Sequence, residues 1–218
     1  MKRRSLPVAV AFAATATLLL ASCGSGNDKS SDSDKIAGAD EAGAEASASP
    51  SVSPSATAGR PKITLAKDMA NVFEGGQTGD PTKDAILYDN TQAVSAMDEA
   101  IYTRSLQKPS FGTYLAGDAA KDAAVWVQGF FDDGITWTGK VRYYNREITS
   151  LKADTATLTY CSDESKSFNK DLKTGETSGA VSDPDDYVVF YNTRLQKNSK
   201  GIWQTTDLIS KRGATQCQ

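Results

Sequence analysis

The hydrophobic pattern changes period at Gly134, and that switch limits what the chain can fold into. Before it, Leu87, Val94 and Ile101 recur every seven residues, with Ile86, Ala93, Met97 and Ala100 filling the same face. This spacing predicts an amphipathic helix of about 25 residues. Asp80 offers an N-cap acceptor, Pro81 a preset first helical residue, and Asp84 a carboxylate at the positive end of the helix dipole. The helix ends before Pro109. A second helix starts near Asp118 with Ala123, Trp126, Val127 and Phe130 as its apolar stripe, and Gly134 stands where a left-handed C-terminal cap falls. Past Gly134 the period is two. Ile135, Trp137, Val141 and Tyr143 alternate with Thr136, Thr138, Lys140 and Arg142. Similar patterns cover residues 155–161, 187–196 and 202–209, and Asn198-Ser199-Lys200-Gly201 forms the turn before the last. Helices followed by hairpin strands predict an α+β domain with the helices on one face of an antiparallel sheet. Residues 63–73 read as a short extended piece and one short helix.

This pattern accounts for only part of the 218 residues. Lys2, Arg3 and Arg4 precede an uncharged run over residues 6–20 and the small residues Ala21 and Ser22, which together read as an export signal over 1–22. The run is shorter than the ~20 apolar residues a membrane-spanning helix needs. Leu20-Ala21-Ser22-Cys23 resembles the bacterial lipobox. The resemblance implies that the Cys23 thiol accepts a diacylglyceryl group and that the signal is cut just before it. Membrane lipid on Cys23 then holds the protein at the extracytoplasmic face of the cell membrane. Arg3-Arg4 also resembles a twin-arginine signal, so two export routes stay open.

Of the 37 residues in 24–60, 24 are Ser, Ala, Gly or Pro and none is aromatic, too little apolar surface to offset the entropy of ordering. Residues 23–60 therefore read as a lipidated cysteine plus a disordered tether, spanning roughly 33 Å r.m.s. as a flexible coil. The Ser/Ala/Pro stretch at 47–57 fits a bare spacer or an O-glycosylated one. Residues 61–218 are the folded domain.

Residues that are missing exclude several chemistries. There is no histidine, which removes Ser-His-Asp and Cys-His catalysis and histidine-based zinc sites. The domain carries 18 basic and 21 acidic residues, so nucleic acid is not an expected partner. No Gly-rich phosphate loop, nucleophile elbow or Cys-x-x-Cys occurs, and no cofactor or metal is expected. Asp183-Pro184-Asp185-Asp186 lacks the alternating ligands of a calcium loop and reads as a polar turn. With Cys23 assigned to lipid, Cys161 and Cys217 form an even pair in an oxidising compartment. A disulfide between them closes a loop of about 57 residues; the alternative, two free catalytic thiols, lacks a histidine base.

Four features in order carry a further resemblance. They are Tyr160-Cys161-Ser162-Asp163 ending a strand, Thr174-Gly175 in a hairpin, Gly201-Ile202-Trp203 opening the last strand, and the near-terminal Cys217. Over roughly residues 82–218 the chain resembles the NTF2-like (SnoaL-like, cystatin-like α+β) domain, and more closely the small secreted lipoproteins of actinobacteria that carry it. The resemblance implies a cone of N-terminal helices packed on a curved antiparallel sheet, often with a pocket in which related enzymes place acids and tyrosines. Candidate lining residues are Tyr88, Tyr102, Trp126, Phe130, Trp137, Tyr143 and Trp203, all of which sit at the periods that define the core faces, so that aromatic core is the simpler reading. Asp132-Asp133 places two carboxylates in a last helical turn, where the dipole prefers cations. They read as a solvated helix end or as functional acids. The expected role is non-catalytic binding of an envelope protein, a wall component or a small apolar ligand. The alternative is a tethered isomerase-like enzyme using a pocket carboxylate. A buried Asp or Glu in a solvent-linked aromatic pocket favours the second.

Overall fold

Asp80 caps the long helix from its expected position. Its Oδ1 accepts the backbone N–H groups of Thr82 at 2.8 Å and Lys83 at 3.1 Å, and α1 runs Pro81–Thr103. This computed structural model describes residues 59–218; the export signal, Cys23 and the tether through residue 58 lie outside the described residues. Arg104 adopts a left-handed conformation (φ 52°) and closes α1. Pro109 does not merely end a helix: it opens a short unforeseen one, α2, Pro109–Tyr114. Helix α3, Gly117–Asp132, follows, and Gly134 turns the chain at φ 66°. Ala123 and Val127 of its stripe are buried, but Trp126 is 51% exposed, a correction to its placement in the core.

The strands are β1 Met69–Phe73, β2 Ile135–Lys152, β3 Thr155–Asp171, β4 Thr177–Ser178, β5 Val188–Lys197 and β6 Trp203–Arg212, with a helical turn α4, Pro184–Tyr187, before β5. Their order is β1-β2-β3-β5-β6, with β4 beside β3. All pairs are antiparallel except β1–β2. The short helix expected within residues 63–73 is absent, and Met69–Phe73 is a parallel edge strand. Tertiary pairing overrides local propensity here: β1 aligns with Gly139 to Tyr143, and Phe73 stacks on Tyr143 at 4.6 Å.

Three irregularities bend the long β2–β3 ladder. Where Lys140 pairs with Lys166 and Arg142 with Asp163, residues 164 and 165 oppose Val141 alone. The alternation of β3 therefore slips by one: Tyr160 and Glu164 face the same cavity as Ser167 and Asn169. Gly139 is required beside this point. It has φ 101°, and a Cβ there would stand 2.1 Å from the Lys166 carbonyl oxygen. The helices cover the inner face of the curved sheet, where Leu158, Tyr160 and Leu195 are buried against Ile86, Leu87 and Ile101.

The outer face carries a small second cluster. Cys161 and Cys217 are bonded, with Cα atoms 5.8 Å apart, and pack with Val188, Tyr144 and Phe190. At the other end a strap before β1 lies along α1. Arg60 pairs with the fully buried Asp89, whose Oδ2 also accepts the Trp203 N–H at 2.8 Å. The Thr64 N–H donates to Glu99 Oε1 at 2.9 Å. Arg60, the last residue assigned to the tether, is thus already part of the folded unit.

Candidate functional site

A cavity of about 500 Å³ lies between α1, α3 and the inner face of the sheet. Its lining residues are exposed to solvent at Asp122 and Trp126 of α3 and at Ser210 and Arg212 of β6. Alternation on four strands supplies its walls. Trp137, Val141 and Tyr143 come from β2, Tyr160 and Glu164 from β3, Val189 and Tyr191 from β5, Leu208 and Arg212 from β6. Tyr160 and Tyr191 are cross-strand partners whose rings stack at 4.8 Å.

Asp98 reaches this cavity from α1 and is only 5% exposed. Both its oxygens accept hydrogen bonds from neutral donors: Trp137 Nε1 at 3.0 Å and Asn71 Nδ2 at 2.6 Å. Neither donor carries charge, so burial dominates. Desolvation pushes the Asp98 carboxyl up to about 6, against the pull of Asn71 and Trp137 and helped by the negative charge of Glu164. The tyrosines respond in the same sense. Burial and then the Asp98 charge raise Tyr143 well above its ordinary value, and burial pushes Tyr160 up to about 12. Both remain neutral hydroxyls at physiological pH.

Part of the sheet wall is polar. Arg212 Nη2 pairs with Glu164 Oε2 at 2.8 Å, and its Nη1 donates to the Asp186 carbonyl. Ser162 Oγ donates to Glu164 Oε1 at 3.3 Å. The arrangement can seat a ring-sized apolar body against aromatic walls, and it offers that body a carboxylate able to change protonation state near neutral pH.

Trp126, Phe130, Trp137 and Tyr143 are brought together along the cavity. Tyr88, Tyr102 and Trp203 are not. Tyr88 lines a shallower groove beside the strap with Arg60, Lys62 and Gln92. Tyr102 is 46% exposed, and Trp203 is 1% exposed within the core. Asp132 and Asp133 are both exposed, and Gln128 Nε2 donates to Asp132 Oδ1 at 2.8 Å, as at a solvated helix end. Asp183 caps the turn α4 by accepting the Asp185 N–H. Among the described residues no group of three or more His, Cys, Asp or Glu side chains is placed to hold a metal, and no helix is long and apolar enough to cross a membrane. Sequence reasoning missed Asp98, although a signal existed. Asp98 stands four residues after Val94 and three before Ile101, a carboxylate embedded in the apolar face of α1.

No family model and no curated protein matches the chain. Solved structures that it resembles include a ketosteroid isomerase-like protein from Erwinia carotovora atroseptica, at 16% identity over 62% of this chain and 98% of that one, with a TM-score of 0.41. Another is Aln2 from a Streptomyces species, at 14% identity over 62% and 94%, with a TM-score of 0.41. A third is the intermembrane space region of the chloroplast protein ARC6, at 11% identity over 62% and 98%, with a TM-score of 0.38.

Proposed function

We propose that the protein is a cell-envelope lipoprotein of the NTF2-like kind, anchored through lipid on Cys23 outside the membrane, whose domain takes a small ring-sized molecule into the cavity beneath α3. The observation that carries this reading is the buried carboxylate of Asp98 in an aromatic cavity open to solvent. Asp98 ties α1 to Asn71 of β1 and Trp137 of β2, but an apolar residue at this position would avoid its desolvation cost. Supporting features are the neutral tyrosine hydroxyls and the ring-sized volume.

Ala123 tests this. It lies on α3 and lines the cavity. In Ala123→Phe the new ring occupies the empty volume, so stability is expected to change by less than about 1 kcal/mol, whereas overpacking a filled core costs about 1–3 kcal/mol. A two-ring probe, 2-naphthol, is expected to quench tryptophan fluorescence saturably in the native protein and not in the variant. Absence of saturable quenching, or equal quenching in both, overturns the reading.

A second reading, the tethered isomerase-like enzyme, is favoured by the same buried carboxylate in an aromatic cavity, with burial pushing Asp98 up to about 6. A carboxylate ionised at neutral pH but still basic suits proton abstraction from carbon. In that role Asp98 takes a proton α to a ring ketone and returns it. The measurement is deuterium uptake by 2-tetralone in D₂O, accelerated by the native protein and not by Asp98→Asn.

A further inference from the structure

Three carboxylates and one guanidinium line the cavity: Asp98, Asp122, Glu164 and Arg212. Arg212 is committed to Glu164 and to the Asp186 carbonyl. Asp98 has no cationic partner, because its hydrogen bonds come from an amide and an indole. Two further guanidiniums are drawn into the domain, and neither lines the cavity: Arg60 pairs with Asp89, and Arg146 donates to the Leu87 carbonyl and Asn90 on α1. A desolvated carboxylate without a counter-charge is unfavourable, and the free protein leaves this one uncompensated. The Trp137 indole donates to Asp98 and the Tyr143 hydroxyl feels its charge, and Tyr160, Tyr191, Trp126 and Phe130 line the same cavity. Aromatic faces carry negative quadrupole density and attract cations, most strongly when desolvated.

We infer that the ligand of this cavity is a cation, an organic ammonium on an apolar body whose charged nitrogen sits against Asp98 among the aromatic faces. This rests on the cavity being a ligand site, as proposed above. An anion of the same size meets net negative charge, and a neutral one leaves Asp98 without a counter-charge.

The probes are benzyltrimethylammonium, whose charge does not titrate, and its uncharged carbon isostere neopentylbenzene, each titrated into the domain by tryptophan fluorescence at pH 7.5. The cation is expected to bind at least tenfold more tightly. That preference is expected to shrink at pH 4.5, where Asp98 is protonated, and to be lost in Asp98→Asn. The pH comparison stands on the native protein alone if the variant does not fold. Trp126→Leu at the exposed mouth is expected to weaken the cation severalfold. Equal or tighter binding of the neutral isostere overturns the cation inference and leaves the ligand site intact. Binding of neither probe counts against both. A larger loss in Asp122→Asn than in Asp98→Asn moves the attraction to the mouth and overturns the role given to Asp98.

Discussion

Replacing Asp98 by asparagine should change how stability depends on pH, and the size of the change follows from burial. A free aspartate titrates at about 3.9, whereas Asp98 in the fold titrates at about 6. Below pH ~4 it is protonated in both the folded and the unfolded chain and has no effect. Between these values the unfolded chain releases the proton and the folded one keeps it, so stability falls as pH rises. Above about 6 both forms are ionised, and the folded protein carries a penalty of about 3 kcal/mol, at 1.36 kcal/mol for each unit of pKa difference. This is opposite in sign to an aspartate held by a cation. Asparagine cannot ionise, so the variant lacks this slope. Glu164, Asp122, Arg212 and Tyr143, which face the same space, are common to both proteins, and their contributions largely cancel. Urea unfolding followed by tryptophan fluorescence at pH 4, 5, 6 and 7 should show the native protein losing about 2 kcal/mol relative to Asp98→Asn across that range, since the unfolded aspartate is already half ionised at pH 4. Parallel curves would refute the desolvation reasoning. Divergence in the opposite sense would mean that a cation already compensates Asp98, removing the ground for an ammonium ligand.

Reduction of Cys161–Cys217, whose sequence separation is 56, should cost about 4 kcal/mol by releasing the unfolded chain, read as a fall of roughly 10 °C in thermal midpoint. The bond sits on the outer face, so 2-naphthol binding well below the new midpoint should be unchanged. Arg60→Ala should cost about 3–5 kcal/mol, because it strands the fully buried Asp89 with only the Trp203 N–H and no counter-charge. Adding Asp89→Asn should recover part of that loss in the same unfolding measurement, and no recovery would argue against the charge explanation.

The helical half of the domain was legible because its signals are local. Asp80-Pro81 marks the start of α1, and the sevenfold repeat of Leu87, Val94 and Ile101 names residues that are indeed buried. The strand pattern was legible as far as the pleat stayed regular. It failed on β3 beyond Cys161, where the extra residue at 164–165 breaks the period of two, so ten residues of strand went unread. It failed on β1 because a parallel edge strand is defined by its partner, and Met69–Phe73 has no alternation of its own. Within the site, Trp137 and Tyr143 followed from alternation, but Tyr88 and Trp203 satisfied the same apolar criterion on other surfaces of the core. Aromatic character does not tell a cavity wall from a filled interior. The better marker was a charge in the wrong place, as with Asp98 and with Asp89, which lies two residues past Leu87 and is fully buried.

The slip on β3 makes the cavity lining a matter of parity. Up to the extra residue the cavity-facing positions are even, Tyr160 and Glu164, and beyond it they are odd, Ser167 and Asn169. Were the strand to run straight through residues 164 and 165, the even positions would stay inward along its distal half. Lys166, Phe168 and Lys170 would then replace Ser167 and Asn169, bringing two amines into the interior. The excess of two negative charges on the lining, three carboxylates against Arg212, would be cancelled with no substitution at all. One backbone irregularity therefore keeps the interior acidic, and Gly139, whose missing side chain leaves room for the Lys166 carbonyl, stands beside it. In this domain the polarity of the interior is held by main-chain geometry as much as by the side chains themselves.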